Sequence, residues 1–166
     1  MGTGRVTQIH IAPDSGEPTQ ARQDVEAVAK RGLRGDRYFE EQGLWNFLDE
    51  DPNREVQEAS DITFIEAEAL AAVERDAGIE IPSGAHRRNV TTQDVPLNHL
   101  VGRTFTVGDV VCEGVQLCEP CGYMQSLVGE EGLSEALTHR GGLMRPLLNL
   151  ARLLSMTRFG GDRGRR

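Results

Sequence analysis

Two cysteines separated by a glutamate and a proline, Cys118-Glu119-Pro120-Cys121, give this chain its clearest capacity for chemistry. Thiolates are soft metal ligands and sulfur nucleophiles, and the only other cysteine is Cys112. A structural zinc site needs four ligands, commonly from two paired units; beyond this pair the chain offers Cys112 and four scattered histidines. A thioredoxin-type dithiol also carries a proline between its cysteines. That motif opens a long helix early in a βαβ unit, however, and this pair begins at residue 118 of 166. A third reading is one reactive thiolate, with its neighbour as auxiliary, that ligates a soft transition metal or carries a sulfane sulfur. Against all three stands plain burial of the cysteines as small apolar side chains. Pro120 beside a strand end suits a loop more than a core.

Three further stretches concentrate groups that grip anions. In "GLRGDRY" (32–38), Asp36 and Arg37 follow Gly35. They form either a loop salt bridge or a ligand contact in which the glycine lets the backbone approach while Arg37 holds an anion. In "HRRNVTT" (86–92), Arg87, Arg88, Asn89, Thr91 and Thr92 make either a solvated edge or a cradle for a phosphate or heterocycle. In "THRGGL" (138–143), His139 and Arg140 meet two glycines at a helix end. There His139 suits an interaction with the helix dipole better than an acid–base role.

The elements that must position these groups are mostly strands. Residues 5–12 read as a strand ending at Pro13, residues 13–22 as a turn region, and residues 25–30 as a second strand running into the Gly32–Gly35 loop. Residues 40–60, acidic and polar around Trp45, Phe47 and Leu48, read as a surface excursion or lid. Thr63 and Glu66 fit a capping box, which predicts a helix over 64–77 stopped by Gly78. Residues 86–92 read as a short strand or loop, and 103–117 as a hairpin turning at Gly108-Asp109. Short helices are expected at 121–128 and 133–140, and a further helix within 143–156. This order lacks a regular βαβα alternation. It predicts a mostly-β fold, a small β-barrel with peripheral α-helices.

Bulk properties narrow the function classes. At 166 residues the chain fits one domain able to bury a core. Its net charge of −8 argues against broad contact with nucleic acid or an anionic membrane. No apolar run approaches a membrane span, and the start lacks a signal-peptide pattern, so a cytoplasmic location is expected. Lys30 is the only lysine, an arginine bias that a GC-rich genome explains as well as planar-anion binding does. The basic tail from residue 157 is expected to be disordered.

Taken together and in order, "GLRGDRY" (32–38), "ITFIEAEAL" (62–70), "RRNVTT" (87–92), "LVGRTFTVGDVVCEGVQLCEPC" (100–121) and "GLSEALTHRGGL" (132–143) resemble the MOSC family. This is the domain found at the C-terminus of molybdenum cofactor sulfurases and as free-standing prokaryotic proteins. The resemblance is strongest over 25–143 and extends the single domain to 1–166. It implies a β-barrel of the pyruvate-kinase-barrel type and a molybdenum-pterin cofactor (Mo). The family's Pro-Cys matches Pro120-Cys121, so Cys121 inherits the role of metal ligand or sulfur carrier, and Cys118 is an extra thiol. Arg37, Arg88 and Asn89 match pocket positions; Asp36, Arg87, Thr91 and Arg140 join them as expected cofactor contacts. The C-terminus departs from the family, whose closing strand carries a "VGD"-like turn; here only Gly161-Asp162 is similar.

Two functions follow from the resemblance. One is a small molybdenum-dependent oxidoreductase that reduces N-hydroxylated small molecules, with an external electron donor because the chain has no ferredoxin-like cysteine cluster. The other is a non-redox carrier of the cofactor, or of a persulfide on Cys121 supplied by a cysteine desulfurase. A pyridoxal-phosphate domain cannot fit in this chain. A homodimer is compatible with either function.

Overall fold

The computed structural model describes residues 4–14, 16–39, 62–120, 122–145, 148–149 and 151–160. In chain order the strands and helices are β1 (Arg5–Ile11), β2 (Gln20–Arg22), β3 (Asp24–Val28), β4 (Gly32–Leu33), β5 (Ile62–Glu66), α1 (Ala67–Ala77) and β6 (Val90–Gln93). A 3₁₀ turn (Leu97–Leu100) leads to β7 (Thr104–Val107), β8 (Val110–Glu113) and β9 (Gln116–Leu117). Then come α2 (Gly122–Val128), α3 (Leu133–Ala136), β10 (Leu143–Arg145), β11 (Ala151–Leu154) and β12 (Phe159–Gly160). The mostly-β expectation holds. The strands pair in three sheets, ordered β2-β1-β6-β5-β10-β9, β11-β3-β4 and β12-β7-β8, and no single ladder closes them into a ring among the described residues.

The expected helix over 64–77 begins instead at Ala67, because residues 62–66 form β5 at the centre of the large sheet. Ile62 and Phe64 pack into the main core among the sheets, while Ile65 joins a second cluster with Val73, Met124, Leu133 and Leu137 under the helices. A strand buried on both faces reads as a continuous apolar run, and that burial overrides the local capping signal. Thr63 therefore caps nothing: its hydroxyl serves Asn89, and Glu66 accepts the Leu97 N–H at 2.7 Å. The expected stop does hold, with Gly78 in the left-handed region at φ 68° and its N–H donating to Glu74 O.

The C-terminal third differs more. The apolar stretch 143–156, expected to be helical, splits into β10 and β11, which pair with β5 and β3 respectively. Leucine-rich strands lack a strong periodic signature, so period alone cannot separate them from a helix. The tail from residue 157, expected to be disordered, supplies β12, which pairs with β7. Its Phe159 stacks on Phe105 with ring centroids 5.8 Å apart and meets Phe64 edge-on at 6.0 Å. The region 13–22, read as turn, ends in β2, and the helix expected over 133–140 spans only Leu133–Ala136. The hairpin expected over 103–117 forms as β7 and β8 around Gly108-Asp109, with Val107 opposite Val110. The excursion expected at 40–60 lies outside the described residues.

Candidate functional site

Three loops converge beside the large sheet: the segment after β4, the turn before β6, and the segment after β9. After β4, Asp36 is fully buried, and its Oδ1 accepts the Ala12 N–H at 2.8 Å and the Arg37 Nη1 at 3.3 Å. Its Oδ2 accepts the Tyr38 N–H at 3.3 Å. Arg37, also buried, reaches the carbonyl of Arg87 with Nη2 at 3.4 Å and lies 4.5 Å over the Tyr38 ring. A loop that carries a charge pair inward needs each remaining polar atom bonded, and this one docks fully onto the end of β1.

Before β6, the chain turns through Arg87 at φ 61°, stabilised by the Arg87 N–H donating to Gly84 O at 3.0 Å. The two arginines diverge from this turn. Arg88 donates from Nε to Gly141 O at 2.8 Å and from Nη2 to Cys118 O at 3.2 Å, tying the segment after β9 to the segment before β10. Arg87 donates from Nη1 to Glu17 O at 2.6 Å. Burial, followed by the nearby Arg37 charge, lowers the Arg87 pKa from the usual guanidinium value.

Asn89 and His86 fix the turn. Asn89 Oδ1 accepts both the N–H and the hydroxyl of Thr63, its own N–H donates to Thr63 Oγ1, and its Nδ2 donates to His10 O. His86, 1% exposed, accepts the Arg88 N–H at Nδ1 (3.0 Å), which leaves its proton on Nε2, 3.3 Å from Thr91 Oγ1. His10 lies edge-on to it, ring centroids 5.9 Å apart. Burial, helped by the Arg88 and His10 charges, pushes the His86 pKa down to about 3.

His86 thereby sets a pH dependence. Unfolded, it titrates near 6.5, so above that pH both states are neutral and the histidine contributes no slope. As pH falls from 6.5 towards 3, the unfolded chain takes up a proton that the folded chain refuses, and stability declines by about 1.4 kcal/mol per pH unit. His86→Asn places a neutral acceptor near the Nδ1 position and should flatten this decline. Urea titrations between pH 7 and 4 are expected to show wild type losing more stability than the variant. Parallel pH profiles for the two proteins would exclude His86 as the titrating group.

The segment after β9 carries the first cysteine of the pair. Cys118 is 3% exposed, and its N–H donates to Gly142 O at 2.8 Å. A Cβ at Gly141 would collide with the Cys118 carbonyl oxygen, and one at Gly142 with the carbonyl oxygen of Phe64. The double glycine therefore exists for close backbone approach, not for a helix cap. Tyr38 joins this side: burial raises its phenol, Arg37 and Arg88 pull it down, and Cys118 and Asp36 push it up. Cys121 lies outside the described residues.

The structure thus brings together Asp36, Arg37, Arg87, Arg88, Asn89, Thr91 and Cys118. It does not bring Arg140 to them: that guanidinium donates to Ala136 O and pairs with Asp76 of α1 at 3.2 Å. His139 is exposed and pairs with Glu119 at 3.4 Å. Tyr38, His86 and His10 belong to the cluster without having been singled out, and Thr63 belongs to it in place of its expected capping role. Their position inside or beside the arginine motifs was the available signal for Tyr38 and His86. Among the described residues no group of three or more His, Cys, Asp or Glu stands together as a metal-binding set.

A mostly-β fold whose buried arginine turn braces a cysteine loop defines the class, and comparison with known proteins supplies the family. The MOSC domain model matches residues 51–151, more than half of the chain. The chain belongs to the MOSC domain family, and is thereby a molybdenum-cofactor-related domain. The matched residues include the Arg87–Arg88 turn and the cysteine pair but begin after the Asp36–Arg37 loop. No curated protein is matched at comparable stringency. Among solved structures, the YuaD protein of Bacillus subtilis superposes with a TM-score of 0.73 at 14% identity, covering 96% of this chain and 97% of that one. YiiM from Geobacillus stearothermophilus gives 0.68 at 12%, covering 95% and 74%, and YiiM from Escherichia coli 0.61 at 13%, covering 99% and 70%. At such identities these likenesses concern the fold. No helix among the described residues is long and apolar enough to cross a membrane.

Proposed function

We propose that this chain binds a molybdenum-pterin cofactor, with Cys121 as the thiolate ligand to the metal, and reduces N-hydroxylated small molecules. The observation that carries the reading is a concentration of buried and half-buried positive charge beside the cysteine loop. The guanidiniums of Arg37 and Arg88 stand there with one carboxylate, Asp36, which pairs with Arg37 alone, in a protein whose net charge is −8. That surplus suits an anionic phosphate, and arginine forks match its geometry. The donor set at the cysteines is soft, as molybdenum requires.

When bound, the cofactor's molybdenum would supply the two-electron redox couple; the residues of this chain do the rest. Arg37 and Arg88 are the residues that would hold the anionic cofactor. Arg88 also holds the Cys118 and Gly141 carbonyls, so the same side chain braces the cysteine loop against the double glycine. Asp36, Asn89 and Thr91, whose polar atoms are engaged within the protein, act as positioning residues. Reduction of a hydroxylamine takes two electrons and two protons and releases water. The electrons come from an external donor, since the chain has three cysteines in all.

Molybdenum analysis of the purified protein, followed by reduction of a hydroxylamino compound with an artificial donor, tests this. Stoichiometric metal and turnover are expected, and Arg88→Lys, which keeps the charge but loses the two-point grip, should lower both. Metal without turnover would return the chain to the carrier role. Absence of metal after expression in a cofactor-producing host would end the reading.

A further inference from the structure

Arg87 is the guanidinium of the turn before β6 that makes no bond to the described residues of the cysteine loop. It lines a cleft of about 250 Å³ together with Pro18, Thr19, Gly84, Ala85 and Leu127. This volume suits a one-ring molecule rather than a drug-sized ligand. The fold gives Arg87 no carboxylate among the described residues: Asp36 serves Arg37, and only the carbonyl of Glu17 accepts from Nη1. Arg87 is 9% exposed, and its Nη2 is shut off from solvent with no hydrogen-bond partner among the described residues. A buried donor left unsatisfied is costly, and a desolvated cation without a counter-ion more so.

We propose that this cleft binds the carboxylate of a small organic acid, with Arg87 as the anion-holding residue. The acid's oxygens supply the acceptor that Nη2 lacks, after a small turn of the guanidinium presents it to the cleft. The acid's apolar body lies against Pro18, Ala85 and Leu127. Gly84 keeps the cleft wall thin, because a Cβ there would collide with the Thr19 hydroxyl and the His10 ring. Burial and the neighbouring Arg37 both work against the Arg87 charge, and a bound anion would offset both effects. The Arg37 pairing with Asp36 is complete without this ligand, so the two arginines have separable roles.

Calorimetric titration of the full chain with benzoate, its neutral isostere benzamide, and inorganic phosphate tests the proposal. Benzoate is expected to bind, with benzamide about tenfold weaker or more, as befits a charge-assisted bond. Arg87→Met and, independently, Leu127→Glu at the 40% exposed rim should each weaken benzoate by about tenfold or more. If Arg87→Met fails to fold, Leu127→Glu carries the test, since it leaves Arg87 in place. Metal-free and metal-loaded protein should bind benzoate alike, so a failed cofactor reading leaves this outcome readable. No benzoate binding, equal affinity for benzamide, indifference to Leu127→Glu, or tighter binding of phosphate would overturn it.

Discussion

Asp36→Ala is expected to remove about 3–5 kcal/mol of stability, because it leaves the buried Arg37 guanidinium without its counter-charge. The carboxylate is fully buried and receives three donors, from Ala12, Arg37 and Tyr38. The substitution strands all three at once. Against a typical total of about 5–15 kcal/mol, such a loss places the variant near its unfolding midpoint under mild conditions. Asp36→Asn keeps an acceptor for the Ala12 N–H while losing the charge, and should fall between wild type and alanine. Urea unfolding followed by circular dichroism measures both. A loss below about 1 kcal/mol for Asp36→Ala would mean that the loop docks by apolar contact and that the pair is incidental. The same geometry bears on any alanine variant of Arg37 or Arg88. Both side chains hold protein carbonyls, so loss of cofactor in such variants must be read beside their stability.

The second large effect concerns the cysteines. On the proposed function, Cys121→Ser should abolish molybdenum retention, because a serine hydroxyl is a hard donor that stays protonated near neutral pH where a thiolate forms. Cys118→Ser should retain metal but lose stability, since Cys118 is buried and a hydroxyl there needs a partner. Cys112→Ser, in β8 within the main core, should affect stability alone. Metal content and urea midpoints of the three single variants separate these outcomes. Equal metal loss at 118 and 121 would favour a dithiol or zinc site. Unchanged metal in Cys121→Ser would end the thiolate-ligand role.

The residue types and their local order were enough to read β1, β3, the hairpin of β7 and β8, the Gly78 stop and the place of Cys118 just past the hairpin. These are features in which alternation, turn chemistry or a glycine acts over a few residues. The order of the arginine and cysteine motifs was also enough to suggest the family. Only the tertiary structure decided that Thr63 sits in a strand, because pairing with β6 and β10 and burial on both faces outweigh a capping pattern. It alone decided that the leucine-rich end forms β11 and β12, whose partners β3 and β7 are distant in the chain. The same holds for the site. Adjacent arginines look equivalent along the chain, yet the left-handed turn at Arg87 sends one guanidinium to Glu17 and the other to Cys118 and Gly141. Arg140, similar in type, is spent on Asp76 because α3 packs beside α1. Side-chain direction follows from backbone dihedrals and from long-range packing, and neither is written in residue spacing.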